Sequence, residues 1–236
     1  MAIVPEFFGC LCQTGPCGKN NSKAHCYGWG HVVARLLNTK GQETQMVVFE
    51  AFERLLQSKH FENISVSMIC KEAGISRATF YYHFKDKFDV SQWHYGLVAE
   101  TFLFQTGRTL NWLQANYLNT VEFAKHEAVY RECFDMHGYE SLFEHAKRRR
   151  IETLRETIVD YKHEKLDSEL EFQVVALADA EVGGVTHWFK GGMPYSVMEL
   201  CLYLDSIVPR RLYNLLNDPI DDSYQPLLGN LQTPLR

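Results

Sequence analysis

Apolar side chains recur every three or four positions along most of the chain, which is the periodicity of amphipathic α-helices. The clearest early run comprises Val47, Val48, Ala51, Phe52, Leu55 and Leu56. No stretch sustains the alternation of apolar and polar positions that marks a half-buried strand. The pattern therefore predicts an all-α fold, with a small N-terminal three-helix domain followed by a larger helical C-terminal domain.

The same pattern divides the chain into four parts. We expect residues 41–88 to form the small domain and residues 89–216 to form the larger one. Residues 217–236 are rich in Pro, Asp, Gly and Asn, so we expect a loose tail. Residues 1–40 sustain no period and are rich in Gly and Cys, which favours a disordered extension.

Metal binding by this extension is the alternative. Its candidate ligands are Cys10, Cys12, Cys17, Cys26, His25 and His31. The cysteines lack the paired C-x-x-C spacing of zinc knuckles, so we predict no metal site.

Three tetrads have the spacing of a capping box, which marks the start of a helix. They begin at Asn119, Ser168 and Ser196. We therefore expect a helix to begin at each of these residues. We also expect Gly107 to interrupt the helix that precedes it.

The segment from Ser65 to Lys87 has the pattern of two short helices around a tight turn. Ser65 is placed to cap the first helix, and Ser76 is placed to cap the second. Gly74 lies where the first helix must end and the chain must reverse, a position that favours positive φ. This arrangement predicts a helix-turn-helix unit.

The second helix of this unit and the residues after it are rich in hydrogen-bond donors. The donors are Ser76, Arg77, Thr79, Tyr81, Tyr82, His83, Lys85 and Lys87. Between Lys71 and Lys87, four basic residues face two acidic ones, a local charge of +2 in a chain of net charge −5. Such a patch indicates contact with phosphate. The alternative is an ordinary helical hairpin with a solvated face, which two adjacent tyrosines and a histidine fit poorly.

A family resemblance lies in the same residues. The runs A-G-I-S from Ala73 and T-F-Y-Y-H-F-K-D-K from Thr79 resemble the signature of the TetR family of bacterial transcriptional regulators. The similarity extends upstream through Phe49, Phe52, Leu55 and Phe61, so that it covers residues 43–90. A second similarity, from Gly183 to Pro194, resembles the dimer-forming end of a TetR branch that includes dihydroxyacetone-operon regulators.

The resemblance implies a DNA-binding transcriptional regulator, namely a homodimeric repressor that a small-molecule effector releases from a palindromic double-stranded operator. It implies phosphate contacts by Ser65, Thr79, Tyr81 and Lys87. It places Ser76, Arg77, Ala78, Tyr82 and His83 at base edges or the adjacent backbone. Lys71 joins them as a basic residue of the same patch, and Arg77 is the candidate for bidentate guanine recognition.

A concentration of aromatic and histidine residues marks the middle of the chain. These residues are Trp112, Phe123, His126, Tyr130, Phe134 and His137. Core packing is the alternative for each residue alone, but together they predict a mostly apolar pocket. The resemblance places the effector in this part of the fold. Because no charged anchor is evident among them, we expect a largely neutral, flat or aromatic ligand.

The basic run from Lys147 to Arg150 has two interpretations. One is a second contact with nucleic acid. The other is a solvated helix face, because Glu144 and Glu152 each lie four residues from Arg148. We favour the solvated face.

The last two long helical segments, residues 168–190 and 196–216, are apolar enough to form a four-helix interface between two subunits. The candidate interface residues are Val182, Gly183, Val185, Trp188, Leu200, Leu204 and Ile207. The paired glycines Gly183 and Gly184 would permit close approach of another helix. The alternative is that both segments complete the core of a single subunit.

Other functional classes lack support in the sequence. There is no H-E-x-x-H, G-x-S-x-G or glycine-rich phosphate loop, so we predict no catalytic residue and no cofactor. No apolar run approaches the ~18 residues of a membrane span. Seven cysteines without a secretory signal favour the reducing cytoplasm. The remaining alternative is a helical co-activator or adaptor that acts through a protein partner and binds little DNA itself.

Overall fold

The computed structural model describes residues 40–136, 138 and 141–218, and every regular element within them is helical. The ten α-helices are α1 (Lys40–Leu56), α2 (Val66–Ala73), α3 (Arg77–His83), α4 (Lys87–Thr101), α5 (Trp112–Ala124), α6 (Glu127–Phe134), α7 (Leu142–Glu156), α8 (Ser168–Lys190), α9 (Val197–Asp205) and α10 (Arg210–Leu216). The predicted all-α fold is confirmed. The predictions for the extension before residue 40 and for the tail after residue 218 lie outside the described residues.

Helices α1 to α3 form a small domain around an apolar core. The apolar face of α1 supplies Phe49 and Phe52, which are fully buried. A 3₁₀ turn, Phe61–Asn63, places Phe61 edge-on to Phe52 with ring centroids 5.9 Å apart. Ile69 of α2 and Phe80 of α3 complete this core from the other side.

Helix α4 joins this domain to the rest of the chain. Asp86 caps its start by accepting hydrogen bonds from the backbone N–H groups of Phe88 and Asp89, at 2.8 and 3.1 Å. The helix then contacts α1 on one side and α5 to α7 on the others. The predicted boundary between residues 88 and 89 therefore falls in the first turn of a helix that both domains share.

Gly107 lies in the break that follows α4, as predicted. After a 3₁₀ turn, Leu103–Gln105, the chain passes through Gly107 at φ 74°. An added Cβ there would lie 3.2 Å from the carbonyl oxygen of Leu215. Both the backbone conformation and the close approach of α10 therefore favour glycine at this position.

Helices α5 to α10 form the larger domain, with α8 at its centre, in contact with α6, α7, α9 and α10. Gly184 permits the close approach of α9, because an added Cβ would lie 2.8 Å from Cδ2 of Leu204. The predicted role of the paired glycines is thus confirmed at Gly184, and the helix that approaches belongs to the same subunit.

The three predicted capping boxes have different outcomes. The box from Ser196 to Glu199 is present at the start of α9. Helix α8 does begin near Ser168, but its cap is Asp167, which accepts from the backbone N–H of Leu170 at 2.9 Å. The prediction of a helix start at Asn119 is wrong, because α5 continues through that residue. The start of α5 is capped instead by a capping box between Asn111 and Gln114.

Candidate nucleic-acid interface

Side-chain and glycine caps define the turn between α2 and α3. The hydroxyl of Ser65 accepts a hydrogen bond from the backbone N–H of Met68 at 3.3 Å. Gly74 ends α2 in the left-handed region, at φ 68° and ψ 30°. The hydroxyl of Ser76 accepts from the backbone N–H of Thr79 at 3.0 Å and starts α3. All three predicted caps are confirmed, so the direction of α3 is set locally.

Helix α3 is anchored by aromatic residues on its inner face and presents polar residues outward. Phe80 is fully buried, and its ring centroid lies 5.6 Å from that of Phe84. On the opposite face Tyr81 is 50% exposed and Tyr82 is 84% exposed. Of the other predicted contact residues, Ser65, Lys71, Ser76, Arg77 and Ala78 are exposed, and Thr79, His83 and Lys87 are half-buried.

Arg77 and Tyr81 lie one turn apart on this outer face and touch only loosely. One guanidinium nitrogen of Arg77 is 3.5 Å from the hydroxyl of Tyr81, at the limit of a hydrogen bond. The guanidinium carbon lies 5.9 Å from the ring centroid. An exposed side chain with so weak an internal contact is free to turn toward a base edge.

Lys87 has a structural role that the sequence did not reveal. Its ammonium donates to the carbonyl oxygens of Phe61 and Ile64, both at 2.8 Å, and of Glu62 at 3.3 Å. It also lies 4.3 Å from the ring centroid of Phe61. An ammonium has three donors, so a phosphate would have to replace one of these carbonyls. The phosphate contact predicted for Lys87 stays a prediction.

The charge on this side of the small domain is positive. Lys71, Arg77 and Lys85 are all exposed. The acidic neighbour Glu72 is neutralised by Arg54 of α1, whose Nε lies 2.8 Å from its carboxylate. The exposed cations of this surface therefore act with little opposition from Glu72, as phosphate binding requires.

A buried contact connects the small domain to α6. The ring of His94 on α4 stacks on Phe49 of α1, with centroids 3.8 Å apart, and its Nδ1 lies 2.7 Å from the hydroxyl of Tyr130. Burial, followed by the proximity of His126, holds the pKa of His94 well below its usual 6.5, so its ring is neutral. His126 itself lies 3.0 Å from the carboxylate of Glu53 on α1. These contacts connect α1, α4 and the start of α6.

The residues predicted to form a ligand pocket are mostly packed together. Trp112, Phe123, Tyr130 and Phe134 are buried, and the ring centroids of Phe123 and Tyr130 lie 4.2 Å apart. Only Phe123 and Phe134 of the predicted set line the internal cavity, which measures about 30 Å³. That volume is about the share of one water molecule. His126 pairs with Glu53 instead, and His137 lies outside the described residues.

Two charged residues, Arg150 and Glu181, line the cavity. The sequence analysis favoured a solvated face for the run that includes Arg150, but the structure buries Arg150 completely. Its Nε and Nη2 donate to the carboxylate of Glu181 on α8, at 2.5 and 2.9 Å. The prediction holds for Arg149, which pairs with Glu152 at the surface, and is wrong for Arg150. Asn119, also in the cavity wall, has an Oδ1 with no hydrogen-bond partner among the described residues.

The residues predicted at the dimer interface fall into a buried group and a more exposed group. Val182, Trp188, Leu200 and Leu204 are buried inside the subunit, so this part of the prediction is corrected. The reason is that α8 is apolar on several sides and is covered by α6, α7, α9 and α10. Gly183 and Val185 are half-buried, and Ile207 is 53% exposed. Two large apolar side chains outside the predicted set are also exposed, namely Phe172 at 73% and Tyr203 at 55%.

The described ranges contain neither a metal-binding cluster nor a membrane span. No group of three or more His, Cys, Asp or Glu side chains there could hold a metal ion. None of the helices described is long and apolar enough to cross a membrane.

The sequence similarity to known proteins lies in the small domain. Residues 48–90 match the family model of bacterial regulatory proteins, tetR family. Over 53 residues the chain is 40% identical to the HTH-type transcriptional regulator EthR of Mycolicibacterium smegmatis, a match that covers 22% of this chain and 24% of that relative. The chain thus aligns with about a quarter of that regulator's length.

A solved structure extends the likeness to the larger domain. The dihydroxyacetone kinase operon activator DhaS is similar with a TM-score of 0.55 at 21% identity. The likeness covers 72% of this chain and 96% of that one. At this level of identity it shows that the two proteins share a fold.

Proposed function

We propose that this chain, whose residues 48–90 form a helix-turn-helix domain of the TetR family, is a sequence-specific DNA-binding transcriptional regulator. The observation that carries the proposal is the outer face of α3. It presents Arg77, Tyr81 and Tyr82 to solvent on a helix that caps hold at its start and that Phe80 anchors from within. A rigid helix with exposed donors is what reading of the major groove requires.

The exposed residues have distinct roles in this proposal. Arg77 reads a guanine through a bidentate contact, whereas Tyr81, Thr79 and Ser65 hold phosphates. Tyr82, which is more exposed than Tyr81, contacts a base edge or the adjacent backbone. Lys87 acts mainly on the small domain itself, because its three donors hold backbone carbonyls.

The regulator acts as a homodimer on a palindromic site. A single α3 reads only a few base pairs, so two reading helices, about one turn of DNA or ~34–36 Å apart, are needed for specificity. The support for dimerisation is the exposure of three large apolar side chains: Phe172 of α8, Tyr203 of α9 and Ile207, which follows α9. Large apolar side chains at the surface are candidates for burial in an interface.

We also propose that the protein is a repressor released from its operator by a small molecule. The contact of α6 with α1, through His94, Tyr130 and His126, supports such coupling because it links the larger domain to the reading domain. Small-molecule sites usually occupy about 300–1,000 Å³. The internal cavity of about 30 Å³ is far below that range, so an effector would have to open it or bind elsewhere.

The test is selection of bound fragments from genomic DNA by the purified protein, followed by affinity measurements on the enriched site. Arg77→Ala should weaken binding about 5- to 150-fold, corresponding to ~1–3 kcal/mol, and relax preference at one base pair. Arg131→Ala is the matched control, since it removes one positive charge from an exposed pair with Glu127 on α6.

Two results would count against the proposal. One is that no genomic fragment is enriched over random DNA. The other is that Arg77→Ala and Tyr82→Ala both bind the enriched site as tightly as the Arg131→Ala control. Either result would favour the adaptor alternative, in which the same fold acts through a protein partner.

A further inference from the structure

A polar groove of about 430 Å³ runs beside α4, between the end of α3 and the middle of α7. Its lining positions on α4 recur at three- and four-residue spacing from Asp89 to Glu100, so they share one helix face. His83 of α3 and His145 of α7 stand on its walls. The groove therefore connects the reading helix to the larger domain.

The size of this groove suits a small molecule. Its volume lies within the usual range of ligand sites, about 300–1,000 Å³. The internal cavity, by contrast, has room for about one water molecule. The groove is thus the better candidate for an effector site.

Gly96 lies in this groove, in the middle of α4. Glycine inside a helix costs about 1 kcal/mol relative to alanine. Neither reason for accepting that cost applies here, because Gly96 has no positive φ and an added Cβ would meet no atom within 4 Å. A ligand that packs flat against α4 would favour a residue without a side chain at this position.

The charges of the groove favour a cationic ligand. The guanidinium of Arg149 is already paired with Glu152 at 2.8 Å and lies over the ring of Phe104. Asp89 is also engaged, since its carboxylate accepts from the backbone N–H of Lys85 at 3.0 Å. The carboxylate of Glu100 has no hydrogen bond or ion pair among the described residues, and it is exposed.

Aromatic and imidazole groups complete the lining. Trp93 is half-buried and lines the groove between Asp89 and Gly96. Indole rings attract planar rings and cations. Burial, assisted by Arg148 and Arg149, lowers the pKa of His145, so its ring is neutral at pH 7 and offers a hydrogen-bond acceptor.

We propose that this groove binds a planar organic cation, such as a protonated aromatic amine. Its positive group pairs with Glu100, its ring contacts Trp93, and its body lies over Gly96. The bound molecule touches both the end of α3 and α7, so it restrains the reading helix relative to the larger domain. That regulatory consequence rests on the proposed DNA-binding function, whereas ligand binding itself does not.

The experiment measures binding directly, without DNA, so that its failure is distinguishable from failure of the DNA-binding function. Proflavine, a planar aminoacridine cation, is titrated with the full-length protein, and its fluorescence anisotropy is followed. Saturable binding of one dye per subunit is expected. The 2-anthracenecarboxylate ion, a planar three-ring anion of similar size, should not bind.

Variants locate the dye in the groove. Gly96→Leu fills the space above α4 and should weaken proflavine binding by about tenfold or more, whereas Gly96→Ala should stay within about threefold of wild type. Glu100→Lys reverses an exposed charge with little risk to folding and should also weaken binding by about tenfold or more. Circular dichroism confirms that each variant is folded.

Three results would overturn the proposal. The first is the absence of saturable proflavine binding to the wild-type protein up to about 1 mM, the range of very weak ligands. The second is binding of 2-anthracenecarboxylate as tight as that of proflavine. The third is unchanged proflavine affinity in folded Glu100→Lys, which would place the dye elsewhere on the molecule.

Discussion

The stability of the larger domain depends on the ion pair between Arg150 and Glu181, both of which are buried. Besides its two hydrogen bonds to Glu181, Arg150 donates to the carbonyl oxygen of Leu103 at 3.0 Å and to the hydroxyl of Thr106 at 3.2 Å. Glu181 also accepts from the indole N–H of Trp112 at 2.6 Å. The pair therefore links α5, α7, α8 and the break after α4.

Removing one partner should be costly. Arg150→Met deletes the guanidinium and leaves the Glu181 carboxylate buried with only the Trp112 donor from this set. A buried charge that loses its partner costs about 3–5 kcal/mol of unfolding free energy. The double variant Arg150→Met/Glu181→Gln removes both charges and keeps an acceptor for Trp112. We expect the double variant to lose about 2 kcal/mol less unfolding free energy than the two single variants lose when their losses are added.

Urea unfolding, followed by circular dichroism at one fixed protein concentration, measures these differences. The control is Arg149→Met, one residue earlier, where the side chains of Arg149 and Glu152 are 39% and 51% exposed. Exposed pairs contribute about 0–1 kcal/mol, so this variant should be nearly as stable as wild type. If Arg150→Met costs no more than Arg149→Met, the buried pair does not have the role assigned to it.

Three further predictions concern other parts of the molecule. Lys87→Met should lower the unfolding free energy by about 1–3 kcal/mol, because three carbonyl oxygens lose a charged donor; an unchanged urea midpoint would contradict this. The pKa of His94 is near 6.5 in the unfolded chain and well below that value in the folded protein. The contribution of neutral His94 to the unfolding free energy is therefore complete above about pH 6.5 and decreases as the pH falls below that value. His94→Gln should flatten that decline by up to ~1.4 kcal/mol per pH unit, and an identical slope in urea titrations would refute it. The double variant Phe172→Glu/Ile207→Glu should run at the 27.4 kDa chain mass in light scattering, whereas the wild type runs at twice that mass; a dimeric, folded variant would place the interface elsewhere.

Local features of the fold could be predicted from the sequence because the interactions that form them span only a few residues. The caps at Ser65 and Ser76 and the reversal at Gly74 are formed within one turn of helix. The exposed face of α3 follows from the same local pattern, because Phe80 and Phe84 lie one turn apart and point inward. The position of the helix-turn-helix unit and the residues on its outer face could therefore be predicted from the sequence.

Features that depend on the neighbours of a helix were decided by the tertiary structure. The capping spacing at Asn119 is as good as that at Ser196, but the packing of α5 against α9 and α4 carries the helix through it. Periodicity identifies an apolar face without saying whether the same subunit or a second one covers it. Val182, Trp188 and Leu200 were for that reason predicted at a dimer interface and are buried in the subunit instead.

The basic run on α7 shows the same limit for charges. By sequence, Arg149 and Arg150 are adjacent, equally charged, and close to the same glutamates. Their positions differ by about 100° around the helix, so Arg149 meets solvent and Arg150 meets α8. Its partner Glu181 lies 31 residues away, a separation that no local pattern encodes. The sequence by itself determined where the helices and the reading surface form, and the packing of α7 on α8 decided which charge is buried, because burial depends on contacts between distant segments.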